Sequence, residues 1–537
     1  MSQKPTPTQK PEGSKSQIFL ARDFLLLIAF VEGAAVMAIE LGGAKIIAPY
    51  YGTSLYVWSS VLAVTLGGLT TGYYVGGWAT SKYDPQRLLM LELIVGTALI
   101  ALMPILGLYV IPWTSGLGIR TGSLISTMIY MMPPLICMGM VSPTIIQLCN
   151  RQVKETGQTA GTVYAISTIG GILMTLLMGF YMLSEFGIRA SLYLAALPLG
   201  IMALLLVLKL GKHKPIALGI SLFVGLLIFT TGENFRDPYI PLNFLYKSEG
   251  ILGQLTVLQN PDPGTGKTFR HLFINHIAQT WVDEEFIPIS EWGYPHRIAT
   301  YASIKPTGSK ALMVGLGGGS VAMEFKQLGF KLDIVELDER VPFIAETFFG
   351  FEPQGTRIFI DDGRHYFNTT QEKYDLIFVD VLNGEVQPHH MFTLEALEKV
   401  KGILNQDGLL IINFQGSIAG PYGKGTRSIY RTLWESGFQT YFFNEGNDGD
   451  IHFMASPSQI NFKTITEDRI NPCCRYIPHE YDDLVSGEKI DIVDAFVLRD
   501  DRPVLDLLNT YNNEQWRKTA IGAIIQREKD NGIPFFR

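Results

Sequence analysis

The chain has 537 residues, 47% hydrophobic and only 17% charged, against the roughly 25% charged residues of ordinary soluble domains. That length exceeds one compact domain, and a formal net charge of −7 removes the bulk attraction on which nucleic-acid binding rests, so no nucleic-acid partner is expected. The charge deficit is uneven. Apolar runs dominate between Phe24 and Thr231, and ordinary charge density returns from Glu233, which marks the main domain boundary.

Residues 1–17 are polar and hold Pro5, Pro7 and Pro11. They read as a disordered cytoplasmic tail, because the apolar run that follows is too long for a secretory signal and continues into further spans. A membrane crossing needs about 20 apolar residues. Seven candidates fall within a transmembrane domain at 18–235: 23–42, 55–79, 88–112, 122–149, 159–182, 188–208 and 215–231. Pro133-Pro134 should kink the fourth. Gly67, Gly68, Gly72, Gly76 and Gly77 crowd the second, and Gly170, Gly171 and Gly179 the fifth. Small residues let helices approach closely in lipid, so tight packing is the first reading and a substrate path the alternative.

Glu32 lies deep in the first span and Glu40 near its end. Carboxylates in hydrocarbon usually face a bundle interior or cavity. Lys45, Tyr50, Tyr51, Tyr56 and Trp58 read as interfacial anchors. Eleven basic residues (Lys4, Lys10, Lys15, Arg22, Lys82, Arg87, Arg151, Lys154, Lys209, Lys212 and Lys214) fall on one side of the bilayer, and three (Lys45, Arg120 and Arg189) on the other. Basic residues collect on the cytoplasmic side, so the N-terminus of this multi-pass protein of the cell (inner) membrane is expected inside. Seven spans then put the soluble half outside the cytoplasm, although nucleotide chemistry is expected within it; one span more or fewer reverses the side.

Cys137 and Cys149 sit in apolar stretches, Cys473 and Cys474 are adjacent, and no CxxC pair occurs. Neither a structural zinc site nor any other metal is expected.

The soluble half begins with a small β unit at 245–300. Strands are expected at 251–258 and 271–274, with Pro261-Asp262-Pro263-Gly264 as turn chemistry. Over 301–456 the pattern becomes strand, Gly-rich turn, helix, strand. An apolar run at 311–314 leads into Gly315-Leu316-Gly317-Gly318-Gly319-Ser320, a helix is expected over 321–328, and a strand at 332–335 ends in Glu336-Leu337-Asp338. Gly315 and Gly317 let the backbone approach a nucleotide, and an acid about 20 residues later can accept from two ribose hydroxyls. Strands at 357–360 and 376–379 end in Asp361-Asp362-Gly363 and Asp380. Ligands bind at the carboxyl ends of strands in such Rossmann-like α/β sheets, so three strand-end acids form a constellation; the alternative is that each caps the next helix. Further strands are expected at 408–413 and 451–455. Residues 457–537 form a C-terminal extension.

The order Gly-rich turn, Val-Glu-Leu-Asp, Asp-Asp-Gly, Phe-Val-Asp resembles the spermidine synthase (polyamine aminopropyltransferase) family over roughly 245–456. Leu272-Phe273-Ile274-Asn275-His276-Ile277-Ala278-Gln279 resembles that family's strand ending in glutamine, and Tyr294 falls where it keeps a substrate-side tyrosine. Ala48-Pro49-Tyr50-Tyr51-Gly52-Thr53-Ser54 resembles the membrane-fused members. The resemblance implies a bundle of about seven spans fused to an S-adenosylmethionine-methyltransferase-type α/β domain with a small N-terminal β unit. It implies aminopropyl transfer from decarboxylated S-adenosylmethionine to a small-molecule diamine such as putrescine, with a lipid bilayer as partner and, from the soluble relatives, a homo-oligomer.

On that reading Glu336 holds the ribose, Asp362 beside Asp361 meets the adenine, Gln279 seats the nucleoside, and Asp380 is the catalytic base. Tyr294, His296 and Asn383 lie on the substrate side, with His389 and His390 nearby. Two acids of the soluble enzymes are replaced, by Gly318 in the turn and by Asn383 three residues after Asp380. The resemblance also suggests that Leu498-Arg499-Asp500-Asp501-Arg502-Pro503, a tail motif of fused members, supplies acids in their place. Two other functions fit the same residues: an S-adenosylmethionine-dependent methyltransferase, and a nucleoside-binding or transport protein whose enzyme site has decayed. The methyltransferase class lacks the small β unit.

Overall fold

A computed structural model describes residues 20–531 apart from 53, 150–155, 211–242, 251, 263–264, 383–385, 445–449, 463–484 and 487–489. The first half is a helical bundle: α1 (Arg22–Tyr51), α2 (Leu55–Thr80), α3 (Pro85–Thr114), α4 (Ile119–Tyr130), α5 (Met132–Cys149), α6 (Thr156–Leu177) and α7 (Leu183–Leu210). A π-helical turn, Met178–Met182, joins α6 to α7, and α7 breaks at Gly187, where φ is +75°. Among the described residues six helices are long and apolar enough to cross a membrane. The expected span 122–149 is two helices parted at Met131, just before the proline pair whose rings cannot continue the donor ladder. The expected seventh span, 215–231, and the tail 1–17 lie outside the described residues.

Part of the glycine pattern is helix packing. A Cβ on Gly72 would stand 2.4 Å from the Ile136 carbonyl oxygen, and one on Gly76 would stand 2.8 Å from Met140 Cα, so α2 and α5 touch backbone to backbone. Gly33 and Gly170 bring α1 against α6 in the same way. Gly67, Gly77 and Gly179 face open space instead. Glu32 is buried and accepts from Ser167 Oγ at 2.8 Å. The sequence reading missed Glu92, a second buried acid, which accepts from Thr144 Oγ1 at 2.9 Å. Tyr51 is not an interfacial anchor: it is buried and donates to Thr114 Oγ1 at 2.9 Å, tying α1 to α3.

The second half opens with an antiparallel sheet, β1 (Asn243–Gly250), β2 (Gly253–Pro261), β3 (Thr268–Ile274) and β4 (Ile277–Asp283), in that order. β1 was not expected as a strand, and the run 272–279 that resembled one strand ending in glutamine is the end of β3, a turn and the start of β4. Asn275 and His276, both at positive φ, make the β3–β4 turn; Asn tolerates that region best among non-glycine residues.

The main sheet follows: β5 (Lys310–Val314), β6 (Lys331–Glu336), β7 (Arg357–Ile360), β8 (Tyr374–Val379), β9 (Leu404–Gln415), β10 (Gln439–Asn444), β11 (Asp450–Ser456) and β12 (Val485–Ser486). Its order is β12-β10-β11-β9-β8-β5-β6-β7, with β5 to β9 parallel and β10 to β12 antiparallel. The central strands read as continuous apolar runs because both faces are covered. The intervening helices are α8 (Gly293–Ala302), α9 (Ser320–Gln327), α10 (Arg340–Phe349), α11 (Gly363–Thr369), α12 (Leu394–Ile403) and α13 (Lys424–Glu435). Phe325 and Phe349 fill one core, and Tyr366, Phe392 and Phe414 the other. At the amino ends of the strands, buried Asp333 of β6 accepts from Arg357 Nη2 of β7 at 2.6 Å and, across β5, from Tyr374 Oη of β8 at 2.9 Å. A last helix, α14 (Leu505–Asn531), lies against α13 and β4.

The two halves meet at one end of the bundle. Arg517 Nη1 on α14 donates to the Pro49 carbonyl at the end of α1 at 2.7 Å. Ile119 N–H donates to Glu514 Oε1 at 2.9 Å, and Ile188 N–H to Glu249 Oε2 at 2.5 Å. That end carries Lys45, Arg120 and Arg189. The opposite end holds Lys209, whose ammonium lies 5.4 Å from the Phe24 ring.

Candidate active site

β5 sits at the point where the parallel strands diverge, β6 and β7 to one side and β8 and β9 to the other. A crevice must open at their carboxyl ends there. A cavity of about 700 Å³ occupies it, lined from every parallel strand end and from the small sheet.

Glu336, Asp362 and Asp380, the three strand-end acids of the sequence, all line this cavity. Backbone bonds across the strand ends set their spacing. Asp380 N–H donates to the Val314 carbonyl at 2.9 Å, Gly315 N–H to that of Val335 at 2.9 Å, and Asp361 N–H to that of Glu336 at 3.0 Å. Gly315, at φ +91°, lies so close to β8 that a Cβ would be 2.1 Å from the Asp380 carbonyl oxygen. The tight approach there is to protein backbone, and it presses the Gly-rich turn against the Asp380 strand end. Gly317 lines the cavity, and Gly318 N–H donates to Thr280 Oγ1 at 2.8 Å.

Each acid is anchored. Glu336 is buried; Oε2 accepts from Leu316 N–H and Oε1 from Asp338 N–H, both at 2.9 Å. Burial pushes its carboxyl pKa upward, and these backbone donors oppose the shift. Asp362 caps α11 by accepting from His365 N–H at 3.0 Å, so the capping alternative and a cavity-facing role coexist. His390 Nε2 stands 3.4 Å from Asp362 Oδ2. Asp361, also in the lining, accepts from His365 Nδ1 at 2.8 Å.

Asp380 follows β8 directly. Asn413 Nδ2 donates to its Oδ1 at 3.0 Å, and Tyr294 Oη to its Oδ2 at 3.3 Å. Burial raises its pKa to about 6, with the two hydrogen bonds pulling the other way. Beside it, Asn413 Oδ1 and Gln415 Oε1 are buried atoms with no hydrogen-bond partner, and both residues line the cavity. His452 pairs with Asn413 in the sheet register. Burial first, then the Arg297 charge, pull its ring down to about 3, so it adds no positive charge near Asp380 at neutral pH.

Gln279 on β4 and Tyr294 on α8 are in the lining as expected. His296 is not. Its ring is buried in the core, with Nδ1 on Glu324 Oε1 and Nε2 on the Ser290 carbonyl, each at 2.9 Å; two residues beyond Tyr294 it lies on the other face of α8. Asn383 lies outside the described residues. The tail motif does not bring acids into the cavity: Asp500 accepts from Arg364 Nη2 at 2.8 Å and from Thr393 Oγ1 at 2.6 Å, which pins the extension to α11 and α12.

Two contributors escaped the sequence reading. Arg340 forks onto Asp338 at 2.8 and 2.6 Å and also donates to Ser248 Oγ and the Gly253 carbonyl, latching the small sheet to the Glu336 end of the cavity. Trp516 of α14 reaches the lining from the extension. Neither carries a local motif.

Residues 293–418 match the family described as the spermine/spermidine synthase domain. Over 128 residues the chain is 38% identical to a polyamine aminopropyltransferase of Vibrio vulnificus, covering 22% of this chain and 43% of that protein. Polyamine aminopropyltransferase 2 of Aquifex aeolicus is 22% identical over 441 residues, 78% of this chain and 84% of that one. A crystal structure of spermidine synthase from Thermotoga maritima is 18% identical, with 46% of this chain and 87% of that chain covered at a TM-score of 0.37. The chain spans about half the length of most of the curated relatives it matches.

Proposed function

For a chain that carries a spermine/spermidine synthase domain, we propose a membrane-bound polyamine aminopropyltransferase. It moves an aminopropyl group from decarboxylated S-adenosylmethionine to a diamine such as putrescine, giving spermidine and methylthioadenosine. The observation that carries this reading is the Asp380 carboxylate, facing the cavity opposite Glu336 and held by Asn413 and Tyr294.

An alkyl amine with a pKa of about 10 reaches the site protonated and cannot attack. Asp380, with a pKa of about 6, is ionised at neutral pH and accepts the proton at Oδ1 or Oδ2. The freed lone pair attacks the propyl carbon next to the sulfonium. The C–N bond forms, the C–S bond breaks, and its electron pair stays on sulfur, which leaves as the neutral thioether. Both substrates are cations, so a cavity walled by carboxylates favours them. Glu336 keeps a free lone pair on each oxygen for the ribose hydroxyls, Asp362 meets the adenine, and Gln279 closes the nucleoside end.

A methyltransferase would use the same nucleoside acids. The four-stranded sheet β1 to β4, which supplies Gln279 and Thr280 to the cavity, favours aminopropyl transfer. Purified protein incubated with putrescine and either decarboxylated or intact S-adenosylmethionine separates these by product mass. Spermidine with methylthioadenosine is expected. A methylated amine supports the second reading, and no product overturns both.

The catalytic half faces away from the cytoplasm in this proposal. It touches the bundle end with three basic residues, whereas the end with eleven is the cytoplasmic one by the charge rule. Donor and acceptor are then drawn from that side.

A further inference from the structure

Trp516 enters the cleft from α14, an element of the extension for which the soluble enzymes resembled by this chain have no counterpart. Its indole lines the cavity with Asp380, Gln415 and Trp292. Several contacts hold α14 in place, among them three hydrogen bonds around Trp516 and the β9 end. Asn509 Nδ2 donates to the Gln415 carbonyl at 2.9 Å, at the end of β9. Glu514 accepts from Ile119 N–H, and Arg517, itself buried, donates to the Pro49 carbonyl. Asn509 therefore fixes the helix to the active site, while Glu514 and Arg517, on either side of Trp516, fix it to the membrane bundle.

The lining of the cavity is mixed in character. Glu336, Asp361 and Asp362 belong to the nucleoside end. Asn413, which donates to Asp380, and Gln415 bring to the lining buried amide oxygens that lack partners, and Trp292 and Trp516 bring two indoles. Amide oxygens accept from an amine without adding charge. An indole face attracts an ammonium and covers methylene groups.

We propose that Trp516 forms the wall of the acceptor-amine subsite and selects among aliphatic amines, and that the end of membrane helix α1 positions it through Arg517. This rests on the aminopropyl-transfer reading. Trp516 acts by contact with the substrate chain, and Arg517 is a positioning residue. The bundle then does more than anchor: a shift of α1 relative to the soluble half moves the acceptor wall and leaves the nucleoside end in place.

The test uses the full-length protein in detergent or liposomes, with a series of linear diamines and methylthioadenosine as a nucleoside-end probe. Trp516→Ala should raise KM for the preferred amine roughly 10-fold and flatten the preference for chain length. Its kcat should stay within about threefold, and its methylthioadenosine affinity should match wild type. Trp516→Phe should restore most of the KM. Arg517→Ala should raise the amine KM in the same direction, with Arg517→Lys recovering it. Wild-type transfer with an unchanged amine KM and chain-length profile in Trp516→Ala overturns the inference and leaves the proposed function standing. So does loss of methylthioadenosine affinity in both Trp516 variants, because a specificity wall leaves that end intact. A wild-type protein that transfers to no amine removes the function and the inference together.

Discussion

Asn413 donates its amide N–H to Asp380 across the gap between β9 and β8, at 3.0 Å. The bond favours the ionised carboxylate, the form a base needs. Burial outweighs it and sets the pKa near 6. A raised acid pKa means activity is present above that value and lost as pH falls through it. The acid limb of kcat/KM should therefore have its midpoint near pH 6. Removing a donor that lowers the pKa moves the limb upward, so Asn413→Ala should shift it to higher pH and reduce the rate at pH 6 more than at pH 8. A profile with the wild-type midpoint would show that the bond contributes nothing to the base.

Asp380→Asn removes the proposed proton acceptor but keeps the shape. General-base catalysis contributes about 10²- to 10⁴-fold, so kcat should fall within that range. Methylthioadenosine binding, measured by calorimetry, should stay within about twofold of wild type. Retained turnover would assign the base elsewhere.

Glu336 presents its carboxylate between two backbone donors. Hydrogen bonds to charged groups are worth about 1.5–3 kcal/mol, so Glu336→Gln should weaken methylthioadenosine roughly 10- to 100-fold. At saturating donor, kcat should change little. Equal affinity in the two proteins would move the ribose contact to another residue.

The glycines of α2 make a paired prediction. Gly72 faces α5 at backbone contact, and Gly77 faces open space. Overpacking a tight contact costs about 1–3 kcal/mol. Gly72→Leu should lower the midpoint of thermal aggregation in detergent, while Gly77→Leu should leave it near wild type. Equal midpoints would contradict the α2–α5 packing.

A reporter of sidedness at Lys82, in the turn between α2 and α3, should label from the cytoplasm. A reporter after Arg537 should label from the other side. Both on one side would reverse the placement of the catalytic half.

The α/β half was legible in sequence because its chemistry is local. A Gly-rich turn and acids at strand ends are spaced by single βα units, so chain order alone brings Glu336, Asp362 and Asp380 together. Tyr294 and Gln279 were legible only through the resemblance. His296 shares α8 with Tyr294, and nothing in the spacing says that two residues further along that helix the ring meets Glu324 instead of the cavity. β1 and β4 lack clean alternation, since each is covered unevenly by α7, α14 or the main sheet. Asn413, Arg340 and Trp516 are set by tertiary approach alone. The break at Met131 followed from the proline pair, whereas the glycine count overstated the packing face, because a glycine toward open space looks the same in sequence as one toward a helix.

The cavity draws on Gln279 and also on Trp516, which the ribosome delivers far apart in time. The bundle and the strand ends that carry Glu336 and Asp362 are synthesised first and can fold as they emerge. Until α14 is made and seated between Pro49 and Gln415, the cleft lacks the side that Trp516 lines, so in the proposed enzyme the amine wall is the last part of the site to be completed.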